Sequence, residues 1–150
     1  NHPFLKQSIN AGLKYINKKA ETEERHGGSG VSTWINVSIQ EQKEELIDLL
    51  SNVIKLKPIG VETNMSEIKV ALDFTLQEIL SHLSNKPIIG EGRLSFTDVL
   101  IVQELWDDYA QKTSLFMSKI DNSLSQNEWK GFLASQRLKH LEGLLISITS

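Results

Sequence analysis

Apolar residues recur every three or four positions along most of this chain, which is the spacing that places them on one face of an α-helix. The pattern is clearest over residues 66–84, where the apolar positions are Ile68, Leu72, Leu76, Ile79 and Leu83. No stretch shows the alternation of apolar and polar residues that is typical of a β-strand. The sequence therefore predicts an all-α fold, a helical bundle.

The other predicted helices are less regular. The same spacing predicts helices over residues 3–20, about 32–56, and 95 to about 112. Ser125 and Glu128 have the spacing of a capping box and predict the start of a last helical region. Polar residues from Gln40 to Glu45 leave open whether the second region is one kinked helix or two. Gly131 and Gly143 leave the same choice open for the last region, because glycine costs about 1 kcal/mol relative to alanine inside a helix.

The helix that begins at Ser95 has the strongest start signal in the chain. Ser95 is a favoured N-cap, and Asp98 stands three positions later, as a capping box requires. Leu94 before the cap and Val99 after it have the spacing of a hydrophobic staple. The apolar run that follows predicts a buried central helix around which the others pack. Residues 113–120 either extend this helix or form a short one of their own.

Residues 21–30 separate the first predicted helix from the rest. They combine acidic side chains with three glycines and lack periodicity. We therefore predict a flexible linker between a helix in residues 1–20 and a helical domain in residues 31–150. A phosphate-binding glycine loop would need a preceding strand and usually a following lysine, and neither pattern is present. Because the chain begins with Asn1 rather than methionine, we also expect it to be a fragment or a processed or trimmed product of a longer sequence.

Three motifs occur in an order that resembles a known family. They are a helix containing Leu76–Leu83, a connector Pro87–Gly90, and the segment Leu94–Leu100 with its capping pair Ser95 and Asp98. This order resembles the C-terminal helical domain of the glutathione transferase superfamily. In that family a capping box opens the central buried helix. The resemblance implies the same role for Ser95 and Asp98.

The resemblance covers roughly residues 31–148, and residues 3–20 would match the last helix of the family's thioredoxin-like N-terminal domain, or a remnant of it. Trp129, followed by Phe132 and Leu133, is similar to the tryptophan-bearing helix of non-catalytic relatives attached to aminoacyl-tRNA synthetases and translation elongation factors. The resemblance thus implies a protein–protein interaction module that assembles a translation-related complex in the cytosol.

Several residues are candidates for the partner surface: Trp34, Trp129, Phe132 and Arg137. Tryptophan is enriched at interface hot spots. Trp129 stands between Glu128 and Lys130 near a predicted helix start, so we expect it to be partly exposed, whereas we expect Trp106 in the core. Helical domains of this family associate through their long second and third helices or through the late tryptophan-bearing helix. The implied partner is a protein of similar fold or a second copy of the chain.

The alternative from another functional class is the C-terminal, substrate-pocket half of a glutathione-dependent transferase, whose second and fourth helices would line an apolar pocket. In that family the catalytic Tyr, Ser or Cys and the glutathione site belong to the N-terminal domain. This chain alone is therefore not expected to be an enzyme, and a βαβ pattern upstream would favour an enzymatic parent. A helical adaptor unrelated to the superfamily is the third interpretation.

Composition narrows the functional classes. The net charge is −3, so no global basic field favours nucleic acid or an anionic membrane. Lys14, Lys18 and Lys19 form a small basic cluster with Arg25, but acidic residues follow the lysines at once, which argues against direct tRNA binding. No apolar stretch approaches the roughly 18 residues of a membrane helix. The absence of cysteine excludes disulfides and thiolate metal sites, and it fits a reducing compartment such as the cytosol.

The polar residues do not form a recognisable catalytic or metal-binding motif. The four histidines include no pair four positions apart, so we expect them on the surface. Glu104, Asp107 and Asp108 are close in sequence, but neighbouring helix positions diverge by about 100°. We expect these carboxylates to form a solvated face. The sequence therefore predicts no catalytic residue, no cofactor and no metal.

Overall fold

The computed structural model describes residues 3–23, 31–54, 65–84 and 94–149, and the side chains of residues 31–35 and 65 lie outside this description. Within these ranges the protein consists of five α-helices and contains no strand. The helices are α1 (Pro3–Thr22), α2 (Val31–Ile54), α3 (Met65–Ser84), α4 (Phe96–Ile120) and α5 (Gln126–Thr149). The all-α prediction is confirmed.

The central helix of the bundle is α4. It contacts each of the other helices and buries Val99, Val102, Trp106 and Phe116 among them. The most extensive contact of α1 is with α4. α2 packs mainly against α1, and α3 packs mainly against α5. Among the residues that the structure describes, α2 and α3 share no contact. Because α1 lies along the central helix, it belongs to the same hydrophobic core as the helices that follow it.

Two features let α1 lie close against its neighbours. The buried hydroxyls of Ser8 and Thr113 are 2.5 Å apart and form a hydrogen bond between α1 and α4. A Cβ atom added at Gly12 would lie 2.6 Å from Leu46 on α2 and 3.3 Å from the Tyr109 ring on α4. Since real Cβ contacts are longer than 3 Å, glycine at this position permits the approach of three helices.

Both start signals in the sequence correspond to capping boxes. The Asp98 amide donates to Ser95 Oγ over 3.1 Å, and the Ser95 amide donates to Asp98 Oδ2 over 3.3 Å. The Ser125 and Glu128 pair does the same at the start of α5, with both hydrogen bonds 3.1 Å long. Such an N-cap contributes about 1 kcal/mol. The capping roles predicted for Ser95 and Asp98 are confirmed.

The helices with interrupted patterns are continuous. The polar stretch from Gln40 to Glu45 lies inside α2, where the Gln40 side chain donates to Glu44 over 3.1 Å. α4 extends to Ile120, and α5 runs unbroken through Gly131 and Gly143. Packing along their length therefore outweighs the local weakness of the polar and glycine positions. Within the ranges given above, every helix is too short or too polar to span a bilayer.

Candidate interaction surface and aromatic cleft

Two of the predicted interface residues are buried within the chain. Trp129 is only 2% exposed and Arg137 only 1%, so the expected partial exposure of Trp129 is wrong. The Trp129 indole meets the half-buried Phe132 ring edge to face at a centroid distance of 6.2 Å, and its N–H donates to the Asp121 carbonyl over 3.4 Å. The side chain of Trp34 lies outside the described residues.

The error arises from the charged neighbours of Trp129. Successive residues point about 100° apart on a helix, so Glu128 and Lys130 can face outward while Trp129 faces inward. The inner face of α5 follows at steps of four and three residues: Trp129, Leu133, Arg137, Leu141 and Leu144. α5 packs against α3 and α4. Trp106 is in the core, as predicted.

Arg137 occupies this inner face because a carboxylate meets it there. Its Nη1 and Nη2 donate to the two Glu23 carboxylate oxygens over 2.7 and 2.9 Å, and both side chains are fully buried. Its Nε donates to Gln103 Oε1 over 3.1 Å, and His140 Nε2 lies 2.9 Å from Glu23 Oε1. We call Glu23, Arg137, His140 and Gln103 the buried charge cluster. It joins the end of α1 to α4 and α5.

Hydrogen bonding keeps the Glu23 carboxylate charged. Burial by itself would raise the pKa of Glu23, but hydrogen bonds from His140 and Arg137 and the Arg137 charge outweigh it, so the pKa lies below its usual value. The sequence placed Glu23 in a flexible linker, yet it lies in the bundle and ties down the end of α1. It also placed the histidines on the surface, whereas His140 is only 22% exposed.

A sequence signal for this cluster existed. Arg137 stands between Leu133 and Leu141 in the apolar series of α5, and a charge at a core position needs a buried partner. The partner could not be identified, because Glu23 is 114 residues away.

The exposed apolar side chains lie mainly on α2, α3 and the start of α4. On α3, Val70 is 70% exposed and Phe74 64%, and their spacing of four residues puts both on one face. On α2, Ile47 and Ile54 are exposed and two turns apart. Phe96, Leu100 and Ile101 are exposed in the first turns of α4. Val70 and Phe74 are named here the α3 outer face.

A cleft of about 290 Å³ opens beside the buried charge cluster, between α1, α2, α4 and α5. Its walls include the side chains of Tyr15, Leu46, Leu49, Trp106 and Tyr109. The rings of Tyr15 and Tyr109 are stacked at 5.5 Å and 14°. Burial, with a smaller contribution from Tyr15, raises the pKa of Tyr109, so its hydroxyl stays protonated at neutral pH. We call this feature the aromatic cleft.

The acidic residues that stand close together in the sequence of α4 lie at its surface. Glu104, Asp107 and Asp108 are exposed on α4, as predicted, and Asp108 pairs with Lys112 one turn away at 3.1 Å. In the part of the chain that the structure describes, no group of three or more histidine and carboxylate side chains could hold a metal ion.

Comparison of the chain with protein-family models, with curated proteins and with solved structures gives no significant match.

Proposed function

We propose that this chain is a non-catalytic helical module that binds another protein through the outer faces of α2 and α3. The observation that carries the proposal is the α3 outer face, where Val70 and Phe74 expose most of their surface. Large apolar side chains grouped on a solvent-facing surface are typical of protein-interaction sites. Ile47 and Ile54 add a second exposed pair on α2.

The finer part of the proposal concerns the partner. The resemblance to the glutathione transferase C-terminal domain implies association through the second and third helices, and these carry exposed apolar pairs here. We propose a partner of similar helical fold within an aminoacyl-tRNA synthetase or elongation-factor complex, in which buried apolar helix faces supply affinity and surrounding charges supply specificity. The capping box at Ser95 and Asp98 supports the resemblance.

The test is affinity capture of the tagged chain from a lysate of its source cells, followed by mass spectrometry. We expect stoichiometric recovery of synthetase or elongation-factor subunits, and loss of that recovery in the double variant Val70→Glu/Phe74→Glu. Gln77→Glu, an exposed position on the same helix, is the matched control and should retain the partner. Equal recovery of the partner by all three proteins would refute the role of the α3 outer face. If the tagged chain recovers only untagged copies of itself, the partner is a second copy of the chain and not a translation complex.

One observation favours the enzymatic alternative as a second candidate. The aromatic cleft is lined in part by Leu46 and Leu49 of α2 and by Trp106 and Tyr109 of α4, the two helices that would line a transferase substrate pocket. A glutathione-binding measurement on the same preparation separates the candidates. Glutathione binding without any protein partner would favour the transferase half, and partner capture without glutathione binding would favour the interaction module.

A further inference from the structure

The α3 outer face has the shape and spacing of a surface that packs against another helix. α3 contains 20 residues and is therefore about 30 Å long. Its buried residues, such as Leu72 and Ile79, face the bundle, whereas Val70 and Phe74 face solvent. Large apolar residues one turn apart are the spacing with which helices pack against each other. The α3 outer face is therefore suited to a helix of another molecule.

Two exposed charges accompany the apolar pair on α3. Lys69 comes directly before Val70, and Asp73 comes directly before Phe74. Because successive residues point about 100° apart on a helix, both charges lie on the same side of the apolar pair. We call Lys69 and Asp73 the charged flank. Along it a cation is followed, one turn later, by an anion.

Antiparallel pairing makes the charged flank self-complementary. In a contact between two copies related by a two-fold axis, each residue pair occurs twice with the roles exchanged. If two α3 helices lie antiparallel about an axis perpendicular to both, the same side of each helix meets across the contact. Lys69 then faces the second copy's Asp73, and Asp73 faces the second copy's Lys69.

The apolar and the charged pairs fit nearly the same register. Placing Val70 opposite the second copy's Phe74 centres the contact at Leu72, and placing Lys69 opposite Asp73 centres it at the preceding residue. One residue corresponds to about 1.5 Å along a helix, a shift that the long lysine side chain can span. In a parallel pair, by contrast, opposite sides of the two helices meet, so the charged flanks would not face each other. The charges therefore favour the antiparallel arrangement.

Carboxylates on α4 add negative charge next to the charged flank. Burial is the main cause of the raised pKa of Asp107, and the charges of Asp73 and Glu104 raise it further, against the opposing charges of Lys130 and Arg137. The three carboxylates are therefore close enough to repel one another. A lysine of a second copy placed beside Asp73 would reduce this repulsion.

We propose that the α3 outer face binds a second copy of this chain, with the two α3 helices antiparallel about a two-fold axis near Leu72. Val70 packs against the second copy's Phe74, and Lys69 pairs with its Asp73. The inference rests on the proposed function, because it names the occupant of the α3 outer face. The exposed pair on α2 stays outside this contact, so a dimer presents two α2 outer faces, which strengthens attachment to a larger complex by avidity.

The first experiment is sedimentation equilibrium over a range of chain concentrations. We expect a reversible dimer of the 16.9 kDa chain with a Kd in the micromolar range, because one helix face is smaller than a standard interface. Val70→Glu/Phe74→Glu should be monomeric with an unchanged circular dichroism spectrum. Ile47→Glu/Ile54→Glu, which changes the exposed apolar pair on α2, is the matched control and should still dimerise. A monomeric wild type at millimolar concentration, or a dimer unaffected by Val70→Glu/Phe74→Glu, would overturn the proposal.

Charge reversal tests the antiparallel arrangement without removing apolar contacts. Lys69→Asp and Asp73→Lys should each raise the dimer Kd about tenfold, because two exposed ion pairs per dimer become repulsive. An equimolar mixture of the two variants should form a heterodimer about as tight as the wild-type dimer, since each chain then meets the opposite charge. A mixture that associates no more tightly than either variant alone would refute the arrangement.

The matched control for charge reversal lies on α1. Lys14→Asp and Glu21→Lys change the net charge by the same amounts at exposed positions away from α3. These variants should dimerise like the wild type, both alone and mixed. An equal gain in affinity on mixing the α1 variants would assign the effect to net charge and refute the role of the charged flank.

The outcomes also separate this inference from the proposed function. A monomeric chain that captures synthetase or elongation-factor subunits would overturn the dimer and leave the proposed interaction module intact. A dimer that depends on Val70 and Phe74, in a chain that recovers no such subunit, would support this inference and refute the translation complex.

Discussion

α3 and α5 pack against each other, but the sequence predicts the buried residues of α3 correctly and misplaces residues of α5. The apolar series of α3 marks the buried face correctly, while Val70 and Phe74 on its other side face solvent. α5 has an irregular pattern with a buried arginine, and its tryptophan was expected at the surface. The structure buries both Trp129 and Arg137. The difference shows that a regular apolar series reports burial well, whereas charged neighbours in sequence (at Trp129) and a partner distant in sequence (Glu23 at Arg137) mislead the local pattern.

The largest effect on stability is expected from removing the carboxylate that allows α5 to bury Arg137. Glu23→Ala leaves the guanidinium without its carboxylate and should lower the free energy of unfolding by about 3–5 kcal/mol. Urea unfolding measures the loss. The double variant Glu23→Leu/Arg137→Met should recover most of it, because apolar side chains can replace a buried ion pair.

The surface pair of Lys112 and Asp108 is the control for this prediction. Lys112→Ala should change stability by less than about 1 kcal/mol, since both side chains are largely hydrated. A loss of similar size in Glu23→Ala would mean that the buried charge cluster does not hold α1 to α5.

The apolar part of the α5 inner face is tested by Trp129→Ala. Trp129 lies fully within the core, so the truncation should cost about 3–5 kcal/mol of unfolding free energy, with Trp129→Phe costing less. A cost near zero would indicate that this indole is exposed after all, as the sequence suggested.

The stability of the protein should depend on Glu23 in acid. Its folded pKa lies below the ordinary value of 4.5, so its contribution is fully present above that pH and is lost as the pH falls through the lower folded pKa. Chemical unfolding at a series of acidic pH values should show a smaller loss of stability in Glu23→Gln than in the wild type. Parallel profiles for the two proteins would contradict this assignment.

The smallest effect is expected on the α3 outer face. Phe74→Gln should change the free energy of unfolding by no more than about 0.5 kcal/mol, because the side chain buries little surface within the chain. Thermal unfolding is the measurement, and Gln77→Ala on the same helix provides a polar control. A large loss in Phe74→Gln would show that Phe74 supports the bundle and would weaken its proposed role in partner binding.

Structural features that depend on residues close together in the sequence could be predicted from the sequence. The apolar spacing predicted each helix, and Ser95 with Asp98, like Ser125 with Glu128, predicted where α4 and α5 begin. Capping needs only residues three positions apart, so its geometry is encoded locally. The same reasoning left the continuity of α2 and α5 open, because a polar stretch or a glycine is overruled by packing along the rest of the helix.

Burial of charge and the shape of the cleft were decided by tertiary structure. Glu23 and Arg137 meet across 114 residues, and the aromatic cleft combines side chains from four helices with the close approach at Gly12. The sequence alone determined an all-α chain with a capped central helix, since periodicity and capping act within a few turns. Which polar residues lie inside depends on contacts between distant segments, and those arise only when the helices pack.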